Sequence, residues 1–197
     1  MATILYPYYK EAADRHIETC LQLEDILKTR YQSKPVLTVA EQNDSKYLLS
    51  NLYYISGYII ECIYNYSIFR NINFPNNIGV NELKYLSNGT PKHPIPCRVA
   101  FRDNGHTPVN TFIIASDGHK LFGKMDFFQT HHTISSASSI PLLDGCPLAL
   151  SRPCRNLFAE WDVYKRYRID THLNFINTFD FFDLSVEVYE GVIKHLL

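Results

Sequence analysis

The stretch that most limits what this chain can become is residues 48–69, LLSNLYYISGYIIECIYNYSIF. Its apolar side chains fall on nearly every side of a helical projection, so it must be wrapped by other elements rather than laid on a surface. Asn51, Ser56, Gly57, Glu61 and Asn65 interrupt it, which is too polar for a lipid-facing span. It therefore reads as the central helix of a bundle, capped by Asn43 or Asp44 and running to about Phe69.

The flanking segments supply the wrapping. Over residues 6–31, Ala13, His16, Ile17, Cys20, Leu23 and Leu27 recur at three- and four-residue steps between charged positions, which predicts an amphipathic helix. Residues 32–41 hold Pro35 and read as a loop. Prolines, Asn and Gly crowd residues 70–108, an irregular insertion with room for a small β-hairpin over 98–115, where Val99 and Phe101 alternate with Arg98 and Arg102. A third helix is expected over 116–132, a short one over 155–163, and a last one from Asp170 or Thr171 to Leu196. Phe175, Phe179, Phe182, Val186, Tyr189 and Ile193 make the expected stripe of the last helix. The fold class is all-α: one domain over residues 1–197, an up-and-down bundle of four to five helices with the insertion at about 71–110.

Composition excludes more than it assigns. Of the 197 residues 46% are hydrophobic and 20% charged, an ordinary globule. Nineteen Lys and Arg against twenty Asp and Glu give a charge of −1, so any contact with nucleic acid must be local. Aromatic residues reach 14%, including fourteen Tyr, whose hydroxyls favour core margins and subunit interfaces. Five cysteines form no CxxC pair and no leader precedes the first helix, which points to the reducing cytoplasm. Eight histidines form no HExxH, and no glycine-rich phosphate loop or GxSxG elbow occurs, so neither a metal site nor a cofactor is expected.

Two places carry candidate chemistry. Glu61 sits inside the most apolar helix, where a carboxylate needs a partner; a buried ion pair, a hydrogen bond to a Tyr hydroxyl or an acid–base role would each account for it. The densest cluster is WDVYKRYRIDTH over residues 161–172, at the expected entrance to the last helix. Arg166 and Arg168 offer planar forks suited to phosphate, and His172, expected in the first helical turn, can move a proton. The plainer alternative pairs these arginines with Glu61, Asp162 or Asp170 and leaves His172 merely exposed.

Several of these pieces together resemble a family. Arg15-His16 with Leu23 and Leu27, the stretch from Asn51 to Cys62, Gly118-His119-Lys120-Leu121, and Trp161 with Arg166-Tyr167 are similar to bacterial HEPN (higher eukaryotes and prokaryotes nucleotide-binding) helical domains. The most specific element is Tyr-x-x-Gly-Tyr-x-x-Glu-Cys, ending at Cys62; Asn65 stands where a Lys commonly follows. The resemblance implies a helical bundle, usually homodimeric, from toxin–antitoxin, phage-defence or RNA-processing settings. It also implies a metal-independent ribonuclease with Arg166 and His172 as the catalytic pair, separated by five residues. Arg168, Glu61 and Tyr167 are the candidate binding residues beside that pair. Tyr167 occupies a position where the family prefers a small polar residue. The second function class is a non-catalytic helical module that binds a partner or antitoxin protein, or a nucleotide; neither class places the chain in a membrane.

Overall fold

The computed structural model describes residues 3–71, 75–77, 79, 80, 121, 151–164 and 172–196. Among them are four α-helices: α1 Pro7–Leu27, continued by a short π-helical turn Lys28–Gln32, α2 Val39–Asn71, α3 Arg152–Glu160 and α4 Phe175–Leu196. The all-α bundle expected from the sequence is the fold. Of the third helix expected over 116–132 only Leu121 is described; it is helical and buried in the core. The hairpin expected over 98–115 lies outside the described residues. Within the insertion, Gly79 pairs with Leu5 in an isolated antiparallel bridge and Val80 N–H donates to the Ile4 carbonyl at 2.7 Å, bringing the chain back to the start of α1.

α1 is amphipathic in a narrow register. Ala13, Cys20 and Leu27 are its buried positions, seven residues apart, with the buried N-cap Tyr6 one step earlier in the same register and Tyr9, Ile17 and Leu23 flanking them. Such spacing keeps one seam on a neighbouring helix. That neighbour is α2, running antiparallel: Tyr6 packs against Tyr66 and Phe69 at one end, His16 meets Tyr58 further along, and Cys20 Sγ lies 3.7 Å from Ser56 Oγ. Burial pushes the Cys20 thiol up to about 12. α2 is the central helix, with Leu52, Tyr53, Ile59, Ile60, Ile63, Tyr64 and Ile68 all buried. No helix among the described residues is long and apolar enough to cross a membrane.

α4 also runs antiparallel to α1. The Tyr189 hydroxyl donates to Asp14, Lys10 holds Asp14 at 2.8 Å, and Lys28 Nζ sits 5.3 Å from the centre of the Phe179 ring. The hydrogen bond to Asp14 raises the Lys10 ammonium to about 12, while burial and the same carboxylate raise the Tyr189 phenol. Burial raises the Asp183 carboxyl, as does Glu24 opposite, with Lys28 acting against the shift.

The inner face of α4 is rotated from the expected stripe. Of that stripe Phe179 and Phe182 are buried, but Phe175, Val186, Tyr189 and Ile193 are only partly covered, whereas Phe181, Leu184, Ser185, Val188 and Val192 are buried. The large rings suggested the stripe, but Tyr189 and Phe179 mark the flank that meets α1. Small residues such as Ser185 lie on the side that approaches α2, where Phe181 meets the Tyr53 ring edge-on at 5.1 Å.

Helix starts differ from expectation because capping pairs set them. α2 begins at Val39, not after Asn43 or Asp44. Thr38 and Glu41 form a capping box in which Thr38 N–H donates to Glu41 Oε2 at 2.9 Å and Glu41 N–H donates to Thr38 Oγ1 at 3.3 Å. Lys34 also contacts the Glu41 carboxylate. The Lys34 ammonium and the Thr38 donors hold the Glu41 carboxyl down at about 2, below its ordinary 4.5. A depressed carboxyl contributes stability above its unfolded value and loses it as pH falls through the folded one. The start of α2 should therefore fray as pH drops from 4.5 towards 2, seen as movement of the Thr38 and Glu41 amide NMR shifts that Glu41→Gln removes. Shifts that stay constant over that window would show that the box contributes nothing.

Candidate functional site at the entrance to the last helix

α3 delivers the chain to the cluster that the sequence marks out. It begins at Arg152, not Arg155, because Ser151 caps it, accepting from Cys154 N–H at 3.4 Å, and Pro153 sits in the first turn where no amide partner is needed. Leu157 and Phe158 bury α3 in the core. The Tyr53 hydroxyl donates to the Leu157 carbonyl at 2.7 Å. That carbonyl is in the last turn of α3, where no intrahelical partner exists, so Tyr53 caps the helix from α2.

Trp161 comes next in extended conformation, with φ −62° and ψ 130°, and its ring is buried. Its indole N–H donates to the Tyr54 carbonyl at 3.1 Å; Tyr58 meets the ring edge-on at 5.2 Å and Tyr54 lies nearly parallel at 6.5 Å. The ring lies directly over Gly57, where an added Cβ would stand 1.9 Å from Nε1. A glycine in mid-helix costs about 1 kcal/mol relative to alanine, and here it gives the indole its space. Sequence reasoning missed this pair; a lone glycine in an otherwise strong helical pattern was its signal. His16 borders the cluster from α1, half-buried, its imidazole pKa lowered by burial and by Arg15.

Beyond Trp161, Asp162 Oδ1 accepts from Tyr164 N–H at 3.0 Å and the Tyr164 side chain is exposed. Arg166, Tyr167 and Arg168 lie outside the described residues. His172 is exposed, but it is not in the first turn of the last helix as expected: α4 starts at Phe175, and His172 stands in the turn before it. Asn174 and Asn177 explain the shift. Each side-chain oxygen accepts the other's backbone N–H at 2.9 Å, a reciprocal cap that fixes the start between them. Asn177 Nδ2 also donates to the His172 carbonyl at 3.0 Å, and Leu173 is buried. The backbone of His172 is thus held from α4, and the residue is exposed. The Asn-x-x-Asn spacing was the signal for this cap.

Glu61 is 6% exposed, one helical turn beyond Gly57 on α2, as its apolar surroundings predict. Among the described residues no three His, Cys, Asp or Glu side chains gather into a set able to hold a metal ion. An exposed imidazole at the positive end of a capped helix can exchange a proton with an anionic ligand. In comparison with known proteins, no family model, no curated protein and no solved structure matches the chain.

Proposed function

We propose that this chain is a HEPN-like helical protein that acts as a metal-independent endoribonuclease, with Arg166 and His172 as its catalytic pair. The observation that carries the reading is the placement of His172, exposed in a held turn just ahead of the last helix of an all-α bundle. Arg166, six positions earlier, supplies a guanidinium able to neutralise charge on a reacting phosphate. The imidazole takes the proton of a ribose 2′-hydroxyl. Two copies facing each other would provide a base and an acid at one phosphate, so the working unit is a homodimer. A cytoplasmic setting of toxin–antitoxin or phage-defence type goes with this chemistry. Arg168 and Tyr167 would contact the RNA; buried Glu61 would act from within the bundle.

Tyr167, directly after Arg166, favours the second reading, a non-catalytic module that binds a partner protein or a nucleotide. Incubating the purified chain with mixed RNA in EDTA separates the two. Cleavage by the wild type, lost in His172→Ala and in Arg166→Ala, supports the nuclease; intact RNA with the wild type leaves the binding module.

A further inference from the structure

We infer that Gly57 and Trp161 form the seat that fixes where the chain leaves α3 towards the proposed catalytic segment, which makes both of them positioning residues. The inference rests on the reading of Arg166 and His172 given above. Trp161 is the first residue after α3, and its ring is gripped from three directions: Gly57 beneath, Tyr58 at its edge, and the Tyr54 carbonyl on Nε1. A methyl group at position 57 would meet Nε1, Cε2 and Cδ1 at 1.9, 2.1 and 2.3 Å, well inside contact distance. No small adjustment relieves three such contacts on a rigid ring, so the indole must leave its place.

The disturbance is local. α3 keeps its own hold on the core through Leu157, Phe158 and the Tyr53 hydroxyl, none of which needs the indole. Unseating Trp161 therefore releases the chain after α3 and leaves the bundle assembled. Lys165, Arg166 and Arg168 come within the next seven residues. Trp161 is held on one side of this segment and the Asn174–Asn177 cap on the other.

Trp161 is the only tryptophan in the chain, so its fluorescence reports on the seat directly. Gly57→Ala should keep the helical circular dichroism while its emission moves to longer wavelength. Trypsin should then cut after Lys165, Arg166 or Arg168 about tenfold faster than in the wild type, as local opening becomes easier. In a Trp161→Leu background the same Gly57→Ala change should add no further susceptibility, because no indole remains to displace. This pair of variants also carries the test should Gly57→Ala alone fail to fold. Where the wild type cleaves RNA, Gly57→Ala should lower kcat at unchanged KM. A wild type that leaves RNA intact defeats the nuclease reading, while emission and proteolysis still decide the seat. Unchanged emission and trypsin cutting in Gly57→Ala, or additive effects of the two substitutions, would overturn it.

Discussion

Tyr53→Ala should lower the stability of the chain by about 3–5 kcal/mol, the cost of truncating a large buried aromatic. Tyr53 sits where three helices meet. It belongs to α2, its ring packs edge-on against Phe181 of α4, and its hydroxyl holds the Leu157 carbonyl of α3. Alanine leaves a cavity between α2 and α4 and also strips α3 of its C-terminal cap. Tyr53→Phe separates the two contributions: the ring stays, the carbonyl loses its donor, and the cost should be about 1–3 kcal/mol. Urea unfolding of both variants checks this. Equal midpoints for Phe and Ala would mean that the ring's packing contributes nothing beyond the hydrogen bond.

The parts of this fold that were legible in the sequence are those governed by helical period. α1 shows its seam at Ala13, Cys20 and Leu27, and the evenly apolar pattern of α2 marks it as the central helix without reference to any neighbour. What stayed hidden depends on pairs rather than periods. Three helix starts moved by three to six residues because Thr38 with Glu41, Ser151 with Cys154, and Asn174 with Asn177 exchange hydrogen bonds that a hydrophobic stripe does not register. The inner face of α4 was misplaced for a related reason. Counting the largest rings found the buried Phe179 and Phe182 but also selected the partly covered flank of Val186, Tyr189 and Ile193, and missed the small buried Ser185. The Gly57–Trp161 contact joins two residues far apart in the chain, so only a fold brings its meaning into view. At the candidate site, the burial of Glu61 was legible from its apolar neighbours. The turn that carries His172 was not, since it depends on Asn177 reaching back across the start of α4.

That same turn makes the second large effect interpretable. His172→Ala should reduce EDTA-resistant RNA cleavage by about 10²–10⁴-fold, the usual contribution of a positioned general acid or base. Asn177 grips the His172 carbonyl rather than its ring, so alanine keeps the backbone contact and a loss of activity reports on the imidazole. Arg166→Ala should cost about 10²–10³-fold, comparable to removing one preorganised donor from a developing anionic charge. The balance of bonds fixes the products. In the proposed reaction the ribose 2′-oxygen would give up its proton to one imidazole and bond to phosphorus; the P–O5′ bond would break, and the leaving 5′-oxygen would take a proton from the facing imidazolium. Cleavage should therefore leave 2′,3′-cyclic phosphate and 5′-hydroxyl ends, identifiable by mass spectrometry of a short RNA. Because the proposed homodimer would supply base and acid from different copies, activity per chain should fall on dilution as such a dimer dissociates. Products carrying a 5′-phosphate, or a His172→Ala chain as active as the wild type, would remove the nuclease reading and leave the helical binding module in its place.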